Sequence, residues 1–353
     1  MYRLTFLVSL AILAIPHFAD AQEPDNGKAP ESTKPISRLI FGSCIKQAQP
    51  TPIFRTILRE KPELILFTGD NIYADTDDMT VMRKKYQQLA NNQTFQDLRR
   101  ACPILATWDD HDFGINDGGA EFAKRDQSQK AFLDFWNVPP DSPRRRQAGI
   151  YHAWHFGPIG RRTQVICLDT RYFRSPLKTG DRRVGGPYVS DDDPNKTLLG
   201  DAQWDWLRTQ LQTPADLRII VSSIQFVPSA AGQECWANLP VERARMLHLI
   251  RKTRAEGILF ISGDRHWSEL SAITTDVPYP IYDLTCSSFN QVHPRGTPTE
   301  NAFRVIDTTY HRENYGRLTI DWESNDPVIS LSIHDIEGRP RIEKEIPLGE
   351  LSF

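Results

Sequence analysis

Residues Glu63–Tyr73 read ELILFTGDNIY. Leu64–Phe67 is a short unbroken apolar run, closed by Thr68-Gly69 and followed by an acid at Asp70. A run of this kind reads as a strand buried on both faces, as in a parallel sheet, rather than a half-exposed one. Similar runs lie on either side: RLIFGSC (38–44), PILATWDD (103–110), QVICLDTR (164–171), LRIIVSSIQF (217–226) and GILFISGDRHW (257–267). Each passes from apolar residues into a thiol, an acid, a histidine or an amide.

Helical spacing separates these runs. It appears in PIFRTILREK (52–61), MTVMRKKYQQLANN (79–92), SQKAFLDFWNV (128–138), DAQWDWLRTQL (201–211) and VERARMLHLIRKTR (241–254). Asp201 stands where an N-cap would. GIYHAWHFGPIGRRTQVICLD (149–169) reads as a hairpin turning at Gly157-Pro158 and Gly160. After Ser268 the pattern is mostly strands: IYDLTCSS, RLTIDW, VISLSIHD and RIEKEIPL. The expected architecture is one α/β domain, with either a mixed central sheet or two packed sheets flanked by helices.

The chain has 353 residues, 39% apolar and 25% charged, with a formal net charge of -3. That balance suits a large globular core and gives no basic stripe for nucleic acid or a membrane surface. Residues 1–21, MYRLTFLVSLAILAIPHFADA, carry Arg3, an apolar run from Leu4 to Phe18, and Ala19 and Ala21 at the positions a signal peptidase reads. They are read as a secretory signal cleaved after Ala21, so a secreted or periplasmic location is expected. The run is short and broken at Pro16, which disfavours a membrane anchor. Residues 22–37, polar and rich in Pro and Ser, read as a disordered linker and 38–353 as the domain. Export permits disulfides, but the five cysteines, Cys44, Cys102, Cys167, Cys235 and Cys286, are odd in number and contain no CxxC pair. Cys167 and Cys286 sit in apolar runs and read as core.

Ligands of open α/β sheets bind outside the carboxyl ends of the strands. Those ends here carry Cys44, Asp70, Asp109, Asp110, His111, Asp112, Asp169 and Arg171, and Asp264 and His266. Acids so crowded, as in WDDHDFGINDGG (108–119), need neutralising, and multivalent cations are the usual means.

The order GD, DDH, GDRH resembles the calcineurin-like metallophosphoesterase superfamily, whose pattern is DxH, GDxxD, GNH with a following acid, a further His, and GHxH. Here FGSC replaces DxH, Tyr73 replaces the second Asp of GDxxD, Asp110 replaces the Asn of GNH, and Asp264 replaces the first His of GHxH. These departures, with LDTRYFR, SSIQF and WANLPVER, resemble the alkaline phosphatase D (PhoD-like) family from Arg38 onward. The extra N-terminal β-domain of longer members is expected to be missing.

The resemblance implies a four-layer αββα sandwich of mixed sheets flanked by helices. It also implies a metal-dependent phosphoric ester hydrolase, acting on mono- or diesters by in-line attack of a metal-activated hydroxide. Cys44 and Tyr73, with bridging Asp70 and His266, would hold Fe3+. Asp70, Asp110 and Asp264 would hold Ca2+. Asn71, Asp109, Asp112 and Gln225 are candidate outer ligands. His111 takes the place of the superfamily's catalytic histidine, and Arg171 and Arg265 are candidates for contacting phosphate oxygens. The donor chemistry agrees. Thiolate and phenolate must lose protons to bind, which favours a trivalent ion, and carboxylates suit calcium. An all-thiolate zinc site is excluded by the oxygen-rich partners. Ser43 is a conceivable nucleophile, but GxSxG is absent.

The expected partner is a small phosphate ester; the sequence assigns no oligomeric state. Two alternatives stand beside the hydrolase: a phospholipase D-type phosphodiesterase on the same scaffold, and a metal-binding interaction protein without activity. The segment GDRRVGGPYVSDDDPN (180–195) reads as a lid or rim over the cleft.

Overall fold

A computed structural model describes residues 32–183, 185–229, 232–293 and 300–353. The signal segment and most of the stretch read as linker lie outside them. Of that linker, Ser32–Ser37 is docked on the domain. Ser32 bridges to Phe156, Ile36 is buried, and Trp322 Nε1 donates to Ile36 O at 2.9 Å. One isoleucine among prolines and serines is enough to anchor the entry to the first strand.

The chain runs β1 (Arg38–Gly42), α1 (Ile53–Arg59), β2 (Leu64–Thr68), α2 (Met79–Ala90), α3 (Gln93–Ala101), β3 (Ile104–Thr107), α4 (Asp110–Phe113) and α5 (Arg125–Phe135). The hairpin of β4 (His152–Phe156) and β5 (Thr163–Cys167) follows, then a small ribbon of β6 (Thr179–Arg183) and β7 (Gly186–Tyr188). Next come α6 (Gly200–Leu211), β8 (Leu217–Val221), α7 (Pro240–Thr253), β9 (Ile258–Ser262), β10 (Glu269–Ile273) and β11 (Ile281–Thr285). β12 (Asn314–Asp321), β13 (Val328–Asp335) and β14 (Pro340–Pro347) close the chain as an antiparallel meander.

Two six-stranded mixed sheets result, ordered β14-β13-β12-β1-β2-β3 and β10-β11-β9-β8-β5-β4. In the first, β1, β2 and β3 are parallel; in the second, β5, β8, β9 and β11 are. Alternation along a strand sends successive side chains to opposite faces. Leu39, Phe41, Leu64, Leu66 and Leu105 therefore join the core shared with the second sheet, while Ile40, Ile65, Phe67 and Ala106 pack with α1, α2, α3 and α5. Trp204 and Leu207 of α6 and Met246 and Leu249 of α7 cover the second sheet. This is the expected four-layer arrangement.

Two local expectations were off. Helix α3 has no counterpart in the helical spacing of the sequence; Asn92, the last residue of the pattern at 79–92, caps α3 by accepting from Phe95 N at 3.1 Å. Asp201 is not the cap of α6, which begins one residue earlier after Leu199 and has no side-chain cap bond. Asp201 lies in its first turn, where an acid still favours the helix dipole. Among the described residues no helix is long and apolar enough to cross a membrane. All five cysteines are free thiols, and Cys167 and Cys286 are buried as expected.

Candidate metal centre

The parallel strands of both sheets point their carboxyl ends at one place. Cys44 follows β1, Asp70 follows β2, Asp109–Asp112 follow β3, and Asp264 and His266 follow β9. The turns that redirect the chain there are tight. Cys44, Asp70, Asp264 and His266 all have positive φ, between 51° and 65°, a region non-glycine residues seldom occupy. Gly69 has φ 111°, and a Cβ on it would lie 2.6 Å from Asp109 Cβ; a Cβ on Gly263 would lie 2.8 Å from Ser43 Cβ. The glycine of each GD pair thus lets two strand ends close on one another.

Cys44 Sγ lies 3.4 Å from Asp70 Oδ2. Tyr73 OH is 3.2 Å from the same carboxylate oxygen and 2.9 Å from His266 Nε2. The thiol, phenol, imidazole and carboxyl predicted to share a cation are therefore contiguous. Ligand atoms of Cys44, Asp70 and His266 lie within 4.8 Å of one another, as do those of Asp70, Asp109, Asp110 and Asp264. Asp70 belongs to both groups. Asp70 Oδ1, Asp109 Oδ2, Asp110 Oδ1 and Asn71 Oδ1 are buried and have no hydrogen-bond partner among the described residues. Bare buried carboxylate oxygens turned towards one another are costly without a cation, so this donor set fits a metal pair.

The protonation equilibria carry the same stress. Burial, with Cys44 and Asp110 nearby, raises the Asp70 carboxyl. Burial pushes the Cys44 thiol up to about 12 and Asp264 up to about 6. Tyr73 is raised by burial and by Asp70. Burial drives His266 down to about 3, which leaves its imidazole neutral and able to ligate. Asp110 departs from this trend. Burial opposes ionisation, but Arg171 and His111 outweigh it and hold the carboxyl at about 2.

His111 heads α4. Its Nδ1 contacts Asp75 at 2.7 and 2.9 Å, and its ring lies 4.1 Å from that of Tyr73. Burial would lower its pKa, yet Asp70, Asp75 and Asp110 raise it to about 11. Asp75 thereby fixes the ring and directs Nε2 away from itself. The other expected outer residues are also tied into the scaffold. Asp112 accepts Asp109 N at 2.7 Å and closes a capping box on α4, while Asn71 Nδ2 bonds Asp112 at 2.5 Å and Thr107 O at 2.8 Å. Gln225 is buried, its Nε2 donates to Glu269 and Thr285, and its Oε1 has no hydrogen-bond partner among the described residues.

Arg171 is not at the mouth of the cleft, where a phosphate contact would need it. It is fully buried, with Nε on Asp109 Oδ1 at 2.6 Å and Nη1 on Glu234 Oε1 at 2.7 Å. Asp169 sets the turn by accepting Arg171 N and Tyr172 N, each at 2.9 Å. The reason is electrostatic: a guanidinium among buried acids is held more strongly there than at a wet rim. Arg265 does sit at the edge, its Nη1 2.5 Å from Asp264 Oδ2 and its guanidinium 5.2 Å from the Trp267 ring.

Several members of the site escaped the sequence reading. Asp110, Asp117 and Glu234 form a further acidic group. Tyr188 of the predicted rim segment donates to Asp117 Oδ2 at 2.8 Å. Asp75 and Asp117 lie close in sequence to the acids that were singled out, so proximity could have flagged them. Glu234 follows no strand run and carried no signal.

A family model described as PhoD-like phosphatase matches residues 39–300. The chain belongs to the PhoD-like phosphatase family. Alkaline phosphatase D of Bacillus subtilis (strain 168) is 23% identical over 291 residues, covering 70% of this chain and 49% of that protein. The chain thus spans about half the length of the curated relative it matches. A solved structure of PhoD superposes with a TM-score of 0.68 at 18% identity, covering 91% of this chain and 73% of that one. A dimetal phosphatase from Danio rerio gives 0.53 at 13% identity, covering 89% and 100%. At such identities the likeness is one of fold, and it is the fold expected of a PhoD-like chain.

Proposed function

We propose that this PhoD-like chain is a metal-dependent phosphoric ester hydrolase with a two-cation centre. The observation that carries it is the sharing of Asp70 between a sulfur–phenol–imidazole group and a carboxylate group. Fe3+ would sit with Cys44, Tyr73, Asp70 and His266, because thiolate and phenolate both raised by burial need a strong Lewis acid to deprotonate them. Ca2+ would sit with Asp70, Asp110 and Asp264, a hard-oxygen set. Asp109 belongs to the same carboxylate group, and its Oδ2 has no hydrogen-bond partner among the described residues. When bound, the cations would lower the pKa of a water and screen the phosphate oxygens.

The chain's own residues supply the rest. His111, oriented through Nδ1 by Asp75, presents Nε2 to the leaving-group oxygen and passes it a proton as the P–O bond to the alcohol breaks. Arg265 contacts a non-bridging phosphate oxygen from the edge of the site. Arg171 neutralises Asp109 and Glu234 beneath it. A small ester is the substrate class, mono- or diester.

Cys44→Ala is expected to remove iron and turnover of nitrophenyl phosphate together; a variant that keeps both would refute the assignment. Phosphatidylcholine dispersed in detergent serves as the competing substrate, and faster turnover of it would favour the phospholipase reading. Iron-containing protein that hydrolyses no phosphate ester would point instead to an interaction protein. Export through residues 1–21 belongs to the same proposal. Protein recovered outside the cytoplasm is expected to begin at Gln22 by intact mass, and one that still begins at Met1 would contradict cleavage.

A further inference from the structure

Most charged groups of the centre have roles in the reading above, but the hydroxyls around Cys44 have none. Ser287 follows β11 and is fully buried. Its Oγ lies 3.0 Å from Cys44 Sγ and accepts the backbone N–H of His266 at 2.7 Å. Its own backbone is pinned on both sides, N to Ser268 Oγ at 3.2 Å and O to Asn314 Nδ2 at 3.2 Å. The hydroxyl is therefore held in place by the main chain next to one proposed ligand while it faces the sulfur of another.

A hydroxyl has one hydrogen. Towards His266 the Ser287 oxygen is the acceptor, so that hydrogen remains for Cys44. A sulfur that ligates a cation has lost its own proton, so the hydrogen between the two atoms has to be the serine's. Ser43 is the other hydroxyl nearby, 3.2 Å from Sγ, but it also lies 3.3 Å from Cys286 O, and its single hydrogen serves two acceptors.

We propose that Ser287 is a positioning residue that orients the Cys44 sulfur and sets its donor strength by a hydrogen bond from Oγ. The inference rests on the reading of Cys44 as a metal ligand. Hydrogen bonds to a ligating sulfur draw electron density off it and tune the metal's potential, and outer partners fix the direction of the ligand lone pair. Ser287 couples two strand ends of different sheets, since Cys44 follows β1 and His266 follows β9.

The test uses the whole protein loaded with Fe3+. Ser287→Ala is expected to move the sulfur-to-iron absorption band to longer wavelength and to make the reduction potential more negative. Ser287→Thr, which keeps the hydroxyl, should stay near the parent on both measures, and Ser43→Ala should shift them less than Ser287→Ala. A merely structural serine would move neither. If Ser287→Ala cannot be loaded, the unaltered protein decides: its iron–sulfur stretching mode should shift on transfer to D2O. A mode unmoved in D2O, or a loaded Ser287→Ala variant with the parent's band and potential, overturns the proposal. Failure of the underlying reading looks different. Unaltered protein that shows no sulfur-to-metal band with Fe3+, or with Co2+ loaded in its place, removes Cys44 as a ligand before any variant is made.

Discussion

Asp70→Asn lowers kcat/KM for nitrophenyl phosphate by roughly 10^3- to 10^4-fold, the scale of several kcal/mol of lost transition-state stabilisation. The expectation follows from position. Asp70 is common to the sulfur–imidazole and the carboxylate groups, so losing its charge should weaken both proposed cation sites at once. Stability of the metal-free protein should move the other way. The folded-state pKa of Asp70 is raised above its ordinary 3.8 by burial, Cys44 and Asp110. A raised carboxyl favours the folded state at low pH and burdens it as pH rises above the unfolded value, so at neutral pH the charge is a cost. Removing it should raise the melting temperature of metal-stripped protein while lowering that of loaded protein. Loss of activity with unchanged metal content, measured by elemental analysis, would sink the shared-ligand role.

Arg171→Met destabilises the fold by roughly 3–5 kcal/mol, the usual scale for stripping one partner from a buried ion network. Burial alone would depress the Arg171 pKa, but Asp109, Glu234 and Asp110 more than reverse that, so the cation belongs to the interior. Asp109 and Glu234, both fully desolvated, would lose their nearest positive charge. Arg174 remains 3.3 Å from Glu234, but among the described residues Arg171 alone pairs with Asp109. Urea unfolding of the metal-free protein reads the effect. A loss under about 1 kcal/mol, the range of a surface pair, would mean that Arg171 is not the structural counter-ion.

The proposed ligand set was readable because its members sit near the carboxyl ends of strands, and strands announce themselves as apolar runs. Cys44, Asp70, Asp110 and His266 follow such runs within a few residues, and a buried parallel strand has only its ends to offer for chemistry. Tyr73 was reached through its spacing from Asp70 in a resembling pattern. The roles of the arginines were not readable. Arg171 and Arg265 each follow a strand end closely, yet one is sealed among acids and the other lies at the edge. Spacing along a chain carries no information about which side of a cleft a long side chain enters. Asp112 shows the same limit: its residue type suits ligation, but it accepts from Asp109 N and Asn71 Nδ2 in the scaffold.

By itself the sequence determined that buried strands alternate with helices and that acids, a thiol, a phenol and imidazoles cluster where those strands stop. Periodicity and residue type are local properties, and local properties survive in one dimension. The double membership of Asp70 was already implied by the resemblance; only the tertiary structure decided that two separate sheets bring it about, that Glu234 arrives from a loop with no signal, and that Ser287 reaches the sulfur of Cys44. Those relations depend on how the sheets pack face to face, and that is set by the summed burial of side chains across the whole core.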